Sequence, residues 1–211
     1  MQRLFAILAM ASTLALTQSV LSAEADKDYL VISPAQATDV KKGQVEVLEF
    51  FWYRCPHCFD LETEVNAWAR KLPKGVVLKK VPGILNPSWT ALARAYYALE
   101  AVGMLDKLHS EVFNAIHAQG MDLNPPERFF DWAVTKGVDR KQIADAYNSF
   151  AVNTKVMRAQ QLTTGYRISG VPAFTVNGKF VTSAYLTGSN AALFKTLDDL
   201  IAQERGKNGK K

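Results

Sequence analysis

Val45-Glu46-Val47-Leu48-Glu49-Phe50-Phe51-Trp52-Tyr53-Arg54-Cys55-Pro56-His57-Cys58 is the stretch that decides the fold. Residues 45–53 follow Gly43 and are rich in β-branched and aromatic side chains, so they read as a buried central strand. A helix is predicted to open at once, from Pro56 to about Leu72. Proline suits its first position, because the N–H it lacks would be unpaired there anyway. Asp60, Glu62 and Glu64 sit early and Arg70 and Lys71 late, as the helix macrodipole prefers. Leu61, Val65, Trp68 and Leu72 form one apolar stripe. Cys58 lies three residues before Leu61 and joins that stripe, whereas Cys55 precedes the first turn. The two cysteines are therefore unequal by geometry, one at an open helix start and one tucked beneath.

Upstream of the strand, Tyr29 to Ile32 is a short apolar run that fits an edge strand. Further back, Arg3 and the 13-residue apolar run Leu4 to Leu16 have the shape of an export leader, with cleavage expected after Ala23 or Ala25. The run is too short to span a bilayer, which takes about 20 residues. An exported chain reaches an oxidising compartment, yet this one carries only two cysteines, both in one C-x-x-C. A loop that short constrains the unfolded chain very little, so a purely structural disulfide is the weaker reading. The net charge of +5 raises the question of a nucleic-acid partner. Five basic residues lie at the chain ends: Arg3, Arg205, Lys207, Lys210 and Lys211. Without them, 20 basic residues face 20 acidic ones. The body is neutral, and a nucleic-acid partner is not expected.

Downstream, Val76 to Val81 reads as a second strand. The period then turns helical. Helices are predicted at Trp89–Val102, at Asp106–Gln119 and from Asn124-Pro125-Pro126-Glu127 to near Gly137. A long fourth helix follows Asp139, with Ile143, Tyr147, Phe150 and Ala151 on one side. Strand character returns at Val171 to Val176. Asn177-Gly178 marks a hairpin with Lys179 to Val181, and a last helix capped by Ser189 runs through Leu193, Leu197, Leu200 and Ile201. Without the helical block, a βαβ unit followed by ββα remains, and a C-x-x-C near a βαβ pattern reads as a thioredoxin-like redox motif. The fold class is α/β: a central mixed sheet flanked by helices, with an inserted all-helical domain. The divisions expected are a leader over 1–23, a first half over 24–86, the insertion over 87–160 and a second half over 161–211.

Val47-Leu48-Glu49-Phe50-Phe51, Cys55-Pro56-His57-Cys58, Gly170-Val171-Pro172-Ala173 and Val176-Asn177-Gly178-Lys179 together closely resemble the DsbA family of disulfide oxidoreductases within the thioredoxin superfamily. The resemblance covers nearly the whole mature chain, including the insertion. It implies a monomeric periplasmic enzyme that oxidises thiol pairs in newly exported, unfolded or partly folded proteins. It also implies reoxidation by a quinone-linked, DsbB-like membrane protein. By the same resemblance Val171–Pro172 is a cis peptide beside the active site, although most X–Pro bonds are trans and the sequence alone favours that. Trp52-Tyr53-Arg54 departs from the family pattern in being bulky and basic immediately before Cys55.

The residues themselves support such chemistry. Unpaired N–H groups at the helix start stabilise a Cys55 thiolate, and His57 adds a donor. Arg54, next to Cys55, either reaches that sulfur weakly, points into solvent, or serves client or partner docking. Glu49 either pairs with a lysine such as Lys79 or Lys80, or lies buried with its carboxyl raised; the resemblance favours burial near Cys58. No metal site is expected, because beyond the two cysteines only His57, His109 and His117 are available, and the last two read as helix-surface residues. No organic cofactor is expected either. The alternatives are an isomerase or reductase on the same fold, or a client-binding holdase whose cysteines merely oxidise.

Overall fold

The computed structural model describes residues 22–208, so the expected leader, apart from Ser22 and Ala23, and the tail lysines Lys210 and Lys211 lie outside the described residues. Strand β2 (Val45–Phe51) is the backbone of the fold, and all seven of its residues are buried. Helix α1 (Pro56–Ala69) follows, and then β3 (Val76–Pro82), which pairs parallel to β2 with Val45 opposite Val76. Strands β4 (Ala173–Val176) and β5 (Phe180–Thr182) form the hairpin. Strand β1 (Leu30–Val31) lies at the edge where the apolar run at 29–32 places it, giving the mixed order β1-β5-β4-β2-β3. A strand flanked on both sides and covered on both faces reads as a near-continuous apolar run, as residues 45–53 do.

Two apolar clusters cover the sheet. Val45 and Val47 pack with Leu61, Val65 and Trp68 of α1 and with Leu193, Leu197, Leu200 and Ile201 of the last helix, Asn190–Asn208. Each of the larger side chains contributes on the order of 2 kcal/mol by leaving water. Leu48 and Phe50 belong to the second cluster, built with the helical block. That block opens with a short 3-10 turn (Pro87–Trp89). It continues through α2 (Thr90–Ala101), α3 (Leu105–His117), α4 (Pro126–Thr135), α5 (Arg140–Asn148) and α6 (Phe150–Gly165). Helix α7 (Ala184–Thr187) precedes the last helix, α8. No helix among the described residues is long and apolar enough to cross a membrane.

Three expectations change. The helix after the cysteines stops at Ala69, short of Leu72, and its first turn holds no acidic residue; Glu62 is buried and ion-paired rather than serving the helix dipole. The long fourth helix is two helices. Ser149 is extended (φ −70°, ψ 153°), ends α5, and accepts a hydrogen bond from Val152 N at 3.1 Å to start α6. Phe150, expected on a packed face, is 85% exposed. Lastly, a boundary at 160 falls inside α6, which runs on to Gly165 and supplies the Thr163 hydroxyl that accepts from Ile84 N after β3.

Candidate active site

β2 delivers its chain end to the start of α1 through a turn in which Cys55 N donates to the Trp52 carbonyl at 2.9 Å. Cys55 is the N-cap of α1, with extended backbone (φ −82°, ψ 115°), and its sulfur accepts from Cys58 N at 3.4 Å. Cys58 lies one turn on, 1% exposed against 7% for Cys55. Neither cysteine is bridged, so the geometry is that of the dithiol. A hydrogen bond from the Cys58 thiol lowers the Cys55 pKa most. Burial opposes it, and the backbone N–H groups of Cys58 and His57 and the His57 charge add to it, leaving Cys55 at about 6. Burial, and then the same bond seen from its donor side, push Cys58 far above the ordinary thiol range. The Cys55 thiol also donates to the Val171 carbonyl at 3.3 Å, a contact that only the protonated form makes. The Val171–Pro172 peptide is cis, as is Ser33–Pro34, which the sequence did not suggest.

Glu49 is buried, 2% exposed, and its Oε2 lies 3.0 Å from Lys80 Nζ; its charge also raises Cys58. Glu49 is thus buried and faces a lysine at the same time. Lys80 also reaches Glu62 at 2.7 Å. Burial works to raise the Glu62 carboxyl, but His109 and Lys80 outweigh it and hold it down at about 2. Pro56 and His57 are exposed on the helix start. Arg54 is exposed too.

The two histidines assigned to a helix surface are not there. His109 is 6% exposed and its Nδ1 lies 2.8 Å from the Tyr53 hydroxyl. His117 is half-buried, with Nε2 2.8 Å from the Tyr53 carbonyl. The signal was present but ambiguous. His109, Phe113 and His117 recur every four residues, an inward stripe if histidine is allowed into it. Trp52, which begins the same turn, stacks flat on Trp89 at 4.0 Å and 1°. A cavity of about 1270 Å³ lies along β3 and is bordered by Glu62, Lys80 and His109 but by neither cysteine.

Comparison with known proteins agrees with this geometry. Residues 46–193 match the family described as DSBA-like thioredoxin domain. The chain is 41% identical over 204 residues to the thiol:disulfide interchange protein DsbA of Bordetella parapertussis, covering 96% of each. It is 37% identical to the protein of that name from Azotobacter vinelandii, covering 95% of each. Among solved structures it resembles Pseudomonas aeruginosa DsbA with a TM-score of 0.85 at 34% identity, covering 89% of this chain and 97% of that one. Reduced DsbA1 from Neisseria meningitidis superposes with a TM-score of 0.77 at 26% identity, covering 90% and 99%.

Proposed function

The chain belongs to the DSBA-like thioredoxin family, and we propose that within it Cys55 and Cys58 make a periplasmic dithiol oxidase for newly exported proteins. The observation that carries this reading is the unequal placement of two neighbouring sulfurs: Cys55 caps the helix and accepts from Cys58 N, which favours its thiolate, and Cys58 is packed beneath, which favours its thiol. In the oxidised protein a client thiolate attacks Cys55 Sγ. A mixed disulfide forms, the Cys55–Cys58 bond breaks, and Cys58 leaves with the electron pair and takes up a proton. A second client thiolate then attacks the client's own sulfur in that mixed disulfide. The client disulfide forms and Cys55 departs as a thiolate stable near neutral pH. Two client thiols are oxidised and one protein disulfide is reduced. A quinone-linked, DsbB-like membrane protein restores the disulfide.

Cys58 demands a proton on leaving, and Glu49 is the carboxylate whose charge it feels, so Glu49 is assigned the proton transfer. Pro56 starts the helix at N1, and His57 contributes its N–H and charge to Cys55. The Val171–Pro172 loop, whose carbonyl faces Cys55 Sγ, is where the client backbone lies during exchange. Arg54, exposed and adjacent, is assigned to client docking: Arg54→Ala changes client rates, most at low salt, and leaves the Cys55 titration alone.

The test is the equilibrium of the Cys55–Cys58 pair against glutathione, together with oxidation of a dithiol peptide. A strongly oxidising pair that converts the peptide stoichiometrically is the expected result. A potential near that of thioredoxin points to a reductase. Client protection unchanged by Cys55→Ser with Cys58→Ser points to a holdase.

A further inference from the structure

Helix α3 carries a ladder of three rings at four-residue intervals, His109, Phe113 and His117, and all three bear on Tyr53. The Tyr53 ring lies 5.3 Å from that of His109 and 5.0 Å from that of Phe113, and the Tyr53 hydroxyl reaches His109 Nδ1. The third rung, His117, takes hold of the backbone instead. A carbonyl oxygen only accepts, so Nε2 of His117 carries the hydrogen and donates it to the Tyr53 carbonyl at 2.8 Å. The same imidazole stacks on Phe59 at 4.9 Å and 11°. Phe59 lies in the first turn of α1, and its N–H bonds the Cys55 carbonyl at 3.1 Å. His117 thus touches the chain two residues before Cys55 and four residues after it, without touching the sulfur.

We propose that His117 is a positioning residue for Cys55, holding the arc from Tyr53 to Phe59 in which the sulfur meets the amides of the helix start. The inference rests on the reading of Cys55 as the low-pKa thiol of a dithiol oxidase. The arc has little slack. Cys58 N and Cys55 Sγ are 3.4 Å apart, a contact that exists only while the turn stays closed. Losing it takes away part of what favours the thiolate. Trp52, one residue before Tyr53, is held separately by its stack on Trp89, so the turn keeps a second anchor when His117 is changed.

The experiment measures the Cys55 midpoint by the ultraviolet absorbance of the thiolate, and the glutathione equilibrium, in three variants of the full mature chain. His117→Phe keeps a ring against Phe59 and loses the donor. It is expected to raise the midpoint by about half a pH unit, about threefold less thiolate at acidic pH, and to make the disulfide correspondingly less oxidising. His117→Gln restores an N–H donor and recovers most of the shift. Tyr53→Phe removes the hydroxyl held by His109, keeps the carbonyl, and leaves the midpoint unmoved. If His117→Phe does not fold, His117→Met carries the same expectation. Midpoints equal to wild type in the folded His117 variants overturn the proposal, and so does an equal shift in the donor and non-donor variants. The oxidase reading is checked on wild type alone. A flat His117 series beside a wild type that exchanges with glutathione overturns only the positioning role; inert wild-type thiols overturn both.

Discussion

Cys55 and Cys58 lie one helical turn apart and titrate in opposite directions, because one sulfur caps a helix and the other is packed under it. Alkylation of the reduced protein with iodoacetamide is therefore expected to modify Cys55 with a midpoint near pH 6 and to leave Cys58 untouched; mass mapping that finds Cys58 labelled first would contradict the assignment. Glu49→Gln is expected to slow client turnover, most at higher pH where proton donors are scarce, while the protein stays folded because Lys80 keeps Glu62 as its partner. Stopped-flow rates that do not change across pH would return Glu49 to a purely structural place. The inequality of the cysteines was legible because Cys58 falls three residues before Leu61 on a helical stripe, a local pattern. The histidines were not. Tyr53 is 56 residues from His109 and 64 from His117, and no spacing rule links a strand-end tyrosine to a helix that far along the chain. Histidine is also chemically at home both on a surface and in a satisfied core, so its position in a helical pattern decides little.

Elements with a strong local signal were read correctly, and those whose signal was overruled by one residue were not. The hairpin belongs to the first kind. Asn177 (φ 51°) and Gly178 (φ 75°) both take the positive φ that the Asn-Gly pair announces, and β4 and β5 pair across them. Gly178 has a second reason to be glycine: a Cβ there would stand 2.1 Å from the Gln36 carbonyl oxygen, where the N-terminal segment crosses the turn and Gln36 N donates to Gly178 O at 2.8 Å. Gly178→Ala is expected to cost about 2–4 kcal/mol in urea unfolding, combining the strained backbone with the displaced crossing segment. A loss below half a kcal/mol would mean that the crossing moves freely. The break between α5 and α6 belongs to the second kind. Ile143, Tyr147, Phe150 and Ala151 keep helical spacing straight through Ser149, so periodicity alone predicts one helix. Serine nevertheless caps better than it propagates, and the buried positions restart at Val152, Val156 and Ala159. Ser149→Ala is expected to cost about 1 kcal/mol. Phe150→Ser should stay within about 0.5 kcal/mol of wild type, the reverse of what one continuous packed helix requires.

At the scale of the molecule, the inserted helices are part of the site. Their place in the chain was legible, since a helical period interrupts a βαβ–ββα order. Their contribution to the site was not, because it depends on how α3 is laid against the β2–α1 turn. Once docked, α3 buries Tyr53 and brings His109 to Glu62, so the fold around Cys55 is fixed by residues from both parts of the chain. A thiol held in this way ties the stability of the whole protein to its redox state. In the reduced, unfolded chain Cys55 titrates near the ordinary value of 9.0, and in the folded protein at about 6. Between these values the unfolded state binds the extra proton, so the stability of the reduced form rises with pH, by at most about 1.4 kcal/mol per pH unit. The gain is complete only above 9.0 and is lost as pH falls through about 6. Cys58, raised by burial, stays protonated in both states below its unfolded value and adds nothing there. The oxidised protein has no free thiol and lacks the contribution altogether. The melting temperature of the reduced form minus that of the oxidised form is therefore expected to widen steadily from pH 6 to pH 8 and to narrow below pH 6. Paired calorimetric scans in which that difference stays flat from pH 5 to pH 8 would mean that the thiolate is not what stabilises the reduced protein. The driving force for donating the disulfide would then have to come from strain in the oxidised form instead.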